Sequence, residues 1–427
     1  MRLVYLIHLS LILLAGLLAT FLPEIKQAKI GGPIDSGDTA WLLTASGLVL
    51  LMTPGLSFFY GGMVRKKNVI STMLQSMVAL GVVSVMWVAV GFSLCFGDSI
   101  GGIIGNPMTF FMYRGVGMFT HPDFAPTIPF ALFSLFQLKF AIITPALISG
   151  AFAERVKFSS YLIFMTLFTL FIYAPLAHMT WHPDGLFRSW GVLDFAGGTV
   201  VHISAGMAAL AGSIYLGPRK ERSHEGAHIP YVILGTGLLW FGWFGFNAGS
   251  SLGANETATL AFLNTNTASA TAMLTWMFLE GLRGKKVSAL GACIGAVVGL
   301  VAITPAAGFV SIGASVLIGF ITATVSNLAL SLKSKTEIDD TLDVFPCHGL
   351  GGIVGMILTG VFAKDVGLLS GHTKTFYFHL ITLLIVMVFC FFGSYLLYYL
   401  SNFARPMRVS HDEEALGLDL SQHGEQI

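Results

Sequence analysis

The sequence predicts an all-α polytopic membrane protein of eleven transmembrane helices, read as two inverted five-helix repeats plus a final helix. Three observations predict it. Of 427 residues, 55% are hydrophobic and only 11% charged, where a soluble domain carries roughly 25% charged residues. The apolar residues fall in long unbroken runs that match the ~20 residues a helix needs to cross a bilayer core. Lys and Arg gather on every second loop, as they do on the cytoplasmic side of membrane proteins.

The runs place helices at about 39–61, 69–96, 128–151, 159–178, 198–216, 229–252, 257–282, 287–304, 306–332, 344–363 and 374–403. Helices rather than strands are expected, because a lipid-exposed span must satisfy its own backbone hydrogen bonds. The basic loops follow the odd-numbered spans: Arg65, Lys66 and Lys67; Arg155 and Lys157; Arg219, Lys220 and Arg222; Arg283, Lys285 and Lys286; Lys333 and Lys335; Arg405 and Arg408. The alternate loops hold only Arg114, Arg188, Lys364 and Lys374. This asymmetry puts residue 39 outside and the tail in the cytoplasm. Residues 1–28 carry Arg2 before the apolar run Leu3 to Leu22, which suits either a secretory signal peptide or an additional N-terminal helix. The chain thus divides into 1–28, a transmembrane domain over 39–403 and a polar tail over 404–427. With 23 Lys and Arg against 22 Asp and Glu, no strong positive field exists to hold nucleic acid.

Five spans precede the 217–228 loop and five follow it, and an odd number of crossings turns the second copy upside down. The fifth span is entered by Asp194 and contains His202; the tenth is entered by Asp343 and contains His348. Inverted repeats place a substrate site at their interface near the midplane, and polar groups at membrane depth mark pathways. The glycines around both histidines permit close helix approach. A facing imidazole pair can share one proton and stay neutral, since one ring nitrogen donates while the other accepts. Two unrelated core histidines, each bonded to a backbone carbonyl, fit the same residues. A metal site lacks a suitably spaced third ligand. Asp194 and Asp343 read as helix caps, with Asp194 also placed to favour a nearby monovalent cation.

Aromatic residues gather at Phe136 and Phe140, at Trp181, and over Trp243 to Phe246, which Ser250 follows. Taken singly each is an anchor or packing residue. Taken as a cluster they would attract a cation by ~0.5–2 kcal/mol. Cys95, Cys293, Cys347 and Cys390 all lie in apolar stretches with no close pair, so neither a disulfide framework nor a zinc site is indicated, and no cofactor is expected.

The motifs SFFYGGMVRKKNV (57–69), GAFAERVKFS (150–159), AHMTW (177–181), LDFAGGTVVHISAG (193–206), GWFGFNAGS (242–250) and DVFPCHGLGGIVG (343–355) together resemble the ammonium transporter family, in the same order and over nearly the whole chain. The resemblance implies a homotrimer, each protomer with its own narrow hydrophobic pore in the plasma membrane, in a bacterium the inner membrane. It implies an external ammonium site at Phe136, Trp181 and Ser250, an aromatic gate at Phe140 and Phe246, a twin-histidine pair at His202 and His348, and Asp194, Trp243 and Asp343 as structural or tuning residues. Trp181 with Ser250 favours the ammonium branch over the related Rhesus-type gas channels. Lys139 departs from the family pattern, as does the loop carrying His182, Pro183 and Asp184.

The physical problem implied is discrimination of ammonium from potassium, which has nearly the same size and charge. Ammonium differs in its N–H donors, which Ser250 Oγ can accept, and in its ability to lose a proton. The expected mechanism is capture of ammonium, deprotonation at or before the gate, and passage of ammonia along the histidines. A passive Rhesus-type channel, an ammonium sensor and a membrane-embedded metalloenzyme are the alternatives. GLDLSQHGE (417–425) resembles the family's C-terminal motif, implying a regulatory tail that cooperates with a PII-type signal protein.

Overall fold

The computed structural model describes residues 2–222, 226 and 228–427, which omits part of the 217–228 loop between the expected repeats. A helix, α1 (Arg2–Phe21), leads the chain. Eleven helical segments follow at the predicted places: α2 (Ser36–Met63), α3 (Lys66–Phe96), α4 (Phe130–Phe152), α5 (Phe158–Phe168, continued by Ala174–Trp181), α6 (Gly198–Leu216), α7 (Ile229–Gly249), α8 (Glu256–Leu282), α9 (Ala289–Ile303), α10 (Ile312–Lys333), α11 (Phe345–Phe362) and α12 (Thr373–Ala404). A short tail helix, α13 (His411–Leu416), closes the set. The protein is a multi-pass membrane protein.

Nine of these helices are long and apolar enough to span a bilayer, among the described residues. The two exceptions have separate causes. Helix α8 is long but carries Asn264, Thr265, Asn266, Thr267 and Thr271, which lower its hydropathy. Helix α9 has 15 residues and so reaches about 22 Å, short of a ~30 Å core. The ninth predicted span begins at Ile312 rather than at 306, because Thr304 to Val310 form turns and Ser311 caps the helix by accepting from Ala314 N at 3.2 Å. Asp35, Asn255 and Ser288 cap α2, α8 and α9 in the same way, each satisfying a backbone N–H that the first turn leaves free.

The element that positions the site is the contact between α6 and α11. Both helices begin with a wide π turn, Gly198–Ile203 and Phe345–Gly349, and each turn contains a histidine. They touch backbone to backbone: a Cβ on Gly206 would lie 2.2 Å from Gly349 Cα and N. Only two glycines allow that approach, and it brings His202, one turn before Gly206, alongside His348.

At the opposite end from the 97–129 loop, buried charges tie the connections together. Arg219 bridges Glu154 at 2.9 Å and Asp339 at 2.9 Å, with all three side chains almost fully enclosed. Burial alone would raise the Glu154 carboxyl, but Arg219 and Arg65 hold it below the usual range. Arg155, wholly buried beside Asp339, is lowered to about 10 by loss of solvent. The tail docks on this face. Met407 O accepts from Lys157 N at 2.7 Å, and Val409 N donates to Arg155 O at 3.1 Å. Arg408 donates to Leu216 O at 2.6 Å, satisfying the end of α6 with a cation where the helix dipole favours one. Asp419 accepts from Ile70 N and Ser71 N at 3.1 and 2.8 Å, so the tail supplies a carboxylate to the first turn of the second span.

Candidate functional site: a vestibule, an aromatic gate and a histidine-lined lumen

On the face bearing the 97–129 loop, a cavity of 290 Å³ is lined by Phe133, Gln137, Phe140, Trp181, Asp194 and Ser250, among others. Trp181 ends α5, and its indole N–H donates to Asp194 O at 3.2 Å, which fixes the ring against the vestibule wall. Ser250 follows α7 and gives its hydroxyl proton to Phe246 O at 2.9 Å. Its Oγ therefore presents lone pairs only, an acceptor and not a donor. Phe140 meets Trp181 edge to face with centroids 5.8 Å apart. Phe136 does not line this cavity, contrary to the sequence expectation. It is fully buried, packed edge to face behind Phe140 at 5.0 Å and against the spot where Gly249 lacks a side chain. One turn of helix separates 136 from 140, yet Phe133, Gln137 and Phe140 line the space while Phe136 packs against Gly249 of α7.

Phe140 and Phe246 form the floor. Their rings lie 4.3 Å apart, with Phe140 lining the vestibule and Phe246 lining the next cavity down. The two spaces are separated by this pair. Below it lies a lumen of only 10 Å³, bounded by Leu56, Ile143, Val201, Trp243, His202 and His348 among others. That is about the volume of a single water position, and its walls apart from the histidines are apolar.

The hydrogen bonds around His202 fit one pair of neutral tautomers. Thr304 gives its hydroxyl proton to Leu300 O at 2.8 Å and accepts from the Trp243 indole N–H at 2.9 Å. Toward His202 Nε2, 3.3 Å away, Thr304 Oγ1 has only a lone pair left, so Nε2 carries the hydrogen and Nδ1 is bare. His348 Nδ1 lies 3.4 Å from that Nδ1 and is the donor in this pairing, which leaves His348 Nε2 as a free acceptor. Both rings are neutral in this arrangement. Trp243 also stacks on His202 with centroids 5.3 Å apart, so its expected structural role has a geometric basis.

Asp194 is consumed by capping. Its Oδ1 accepts from Gly197 N and Gly198 N at 2.8 and 2.6 Å, and its Oδ2 from Thr199 N and Thr199 Oγ1 at 2.7 and 2.5 Å. Gly197 makes the turn possible at φ 115°, a left-handed conformation that disfavours a side chain. The equivalent cap on α11 is not Asp343. Asp340 accepts from Val344 N and Phe345 N at 3.0 and 2.7 Å, while Asp343, itself at φ 58°, pairs with Lys333. The positive φ at Asp343 turns its side chain away from the helix start, and a residue one turn earlier takes the role. Lys139 is 9% exposed and is among the lining residues of neither cavity. Sequence reasoning missed Gln137, Thr304 and Asp340. The first carried a signal, a polar residue within an apolar span on the same helical face as Phe133 and Phe140.

Comparison with known proteins shows the family. A profile of the Ammonium Transporter Family matches residues 40–427. The chain belongs to the ammonium transporter family. It is 45% identical to a putative ammonium transporter of Methanothermobacter thermautotrophicus, over 92% of this chain and 98% of that one. It is likewise 45% identical to an ammonium transporter of Aquifex aeolicus, over 92% and 93% of the two chains. The crystal structure of Candida albicans Mep2 superposes with a TM-score of 0.84 at 36% identity, covering 89% of this chain and 88% of that one. Membership places this ammonium transporter family protein among transporters rather than enzymes, which retires the metalloenzyme alternative.

Proposed function

We propose that this protein transports ammonium by capturing the cation in the vestibule at Trp181, Phe140 and Ser250, passing a proton from it to vestibule water at or above the Phe140–Phe246 gate, and conducting ammonia past His202 and His348. The observation that carries this reading is the lumen itself: a space of 10 Å³ behind two phenyl rings in contact has no room for an ion with its water, and a bare charge in apolar walls is costly. Neutral ammonia faces no such barrier, and the free Nε2 of His348 accepts one of its N–H groups. The trapped charge must therefore part from the nitrogen before the gate.

The basic loops orient the tail face toward the cytoplasm and the vestibule outward, in a plasma membrane, so that flow is import. Three protomers assemble through the apolar surface of α7, α8 and α10, where Phe241, Phe278 and Phe320 are exposed. The docked tail is the regulatory element and the landing point for a PII-type signal protein. The Rhesus-type alternative is disfavoured by Trp181 and Ser250 at the mouth, which provide a cation site that a gas channel does not need. The test is current and uptake measured together in proteoliposomes. His202→Ala and His348→Ala are expected to abolish or uncouple ammonium transport while the assembly stays folded. Wild-type uptake and potassium exclusion in both variants would refute the twin-histidine role.

A further inference from the structure

We propose that Gln137 is a second hydrogen-bond acceptor for the captured cation and helps select N–H-bearing cations over potassium; this rests on the vestibule being the recruitment site. The polar side chains that line the cavity are Asp123, Gln137, Arg188, Asp194 and Ser250. Arg188 only donates and repels a cation. All the hydrogen-bonding capacity of Asp194 that faces its own loop is used by four donors, so it contributes charge rather than a ligand. Asp123 is held at the rim by Lys29, 2.6 Å away. Ser250 Oγ is a ready acceptor, as its proton is already given to Phe246 O. Beside the second oxygen of Asp123, which is already paired with a cation through Oδ2, the remaining side-chain acceptor is the Gln137 carbonyl. Its Oε1 is buried and makes no hydrogen bond, a state that costs free energy unless a donor arrives.

Gln137 lines the space on the same face of α4 as Phe133 and Phe140; its Oε1 is turned away from it, and rotation of the terminal amide about its soft torsion would bring the oxygen in when a cation arrives. A cation between Trp181 and Phe140 then meets two aromatic surfaces and two side-chain oxygens. For ammonium, with four N–H groups arranged tetrahedrally, two directed acceptors satisfy two donors and the π faces receive the others. Potassium has no such directions; it loses hydration and gains only two oxygens, where an ion filter built for it would surround it with many. Selectivity follows from the small number of acceptors and their placement.

The experiment is ammonium uptake by the full chain in proteoliposomes, with potassium as competitor, for Gln137→Met, Gln137→Glu and, as a reference, Trp181→Leu. All variants are first checked for monodispersity and wild-type thermal unfolding. Gln137→Met is expected to raise the half-saturating ammonium concentration roughly three- to tenfold, less than a dry charged hydrogen bond would give because water partly substitutes, and to make potassium a better competitor. Gln137→Glu is expected to lower half-saturation, since a carboxylate accepts more strongly. A residue that only packs would weaken capture in both variants. Opposite signs support the proposal; an unchanged Gln137→Met, or weakening by both substitutions, overturns it. If Trp181→Leu weakens capture and Gln137→Met does not, only the role of Gln137 fails. If Trp181→Leu also leaves half-saturation unchanged, the recruitment reading itself fails.

Discussion

Replacing Gly206 by Ala tests whether the α6–α11 contact sets the histidine pair. The added methyl would stand 2.2 Å from Gly349 Cα and N, against the 3.4 Å where ordinary contact begins. Neither partner is a flexible side chain, so one helix has to move by about 1.2 Å. His202 and His348 are 3.4 Å apart, already at the long end of hydrogen bonding, and a displacement of that size takes them past any such bond. Overpacking of this kind costs about 1–3 kcal/mol, which lowers the unfolding temperature without abolishing folding in a protein of this size. The expected result is a folded protein with strongly reduced ammonium flux and a partial leak of water or potassium through the loosened lumen. Thermal unfolding in detergent reports the first part and stopped-flow uptake into liposomes the second. Gly206→Ala with wild-type flux and wild-type stability would refute the claim that this glycine pair holds the two imidazoles together.

Trp181→Leu removes a cation-π contact worth ~0.5–2 kcal/mol and should raise half-saturation by roughly 2- to 30-fold, with little effect at saturating ammonium; an unchanged half-saturation would refute capture at that ring. Deleting residues 409–427 should reduce transport and abolish PII-dependent membrane recruitment without dissolving the assembly, and full, PII-sensitive transport by the truncation would show the tail to be passive. Tail docking should also depend on pH. Burial against Phe158 and Ser71 lowers the His423 pKa, opposed by Asp419 and Glu425, so the docked state holds this ring neutral. Its contribution is present above the unfolded value of about 6.5 and is lost as pH falls through the lowered folded value. Hydrogen exchange over residues 411–424 should therefore quicken between pH 7.5 and 5.5, and His423→Gln should flatten that change; identical pH dependence in the variant would rule His423 out.

Hydropathy and the alternation of basic loops were enough to place the helical segments, because the bilayer forces each crossing to be a helix of fixed minimum length. They did not foresee that α9 is short or that α10 starts at Ile312, since turns at Pro305 and Gly308 are apolar and leave no mark on a hydropathy count. The histidines were legible for a related reason: a polar ring inside an apolar run is costly and stands out. Their pairing was legible only as one of two readings.

What the sequence by itself determined was the class of protein, its crossings and the residue types at the site. Tertiary structure decided how those residues meet. Phe136 and Phe140 lie one turn apart, and only the packing of α4 against α7 at Gly249 sends one into the core and leaves the other at the gate. Asp343 and Asp340 both precede α11, and only the backbone turn at Asp343 passes the capping role to Asp340. The protonation pattern of the histidines depends on Thr304, more than a hundred residues from His202 in the chain, because a hydroxyl that has already given its proton to Leu300 O can only accept. The tail, polar and near the end of the chain, has the composition of a free terminus, yet Asp419 and Arg408 are held by backbone groups that helix ends leave unsatisfied. Such partnerships arise from distances between elements, and a linear pattern of residue types does not encode distance.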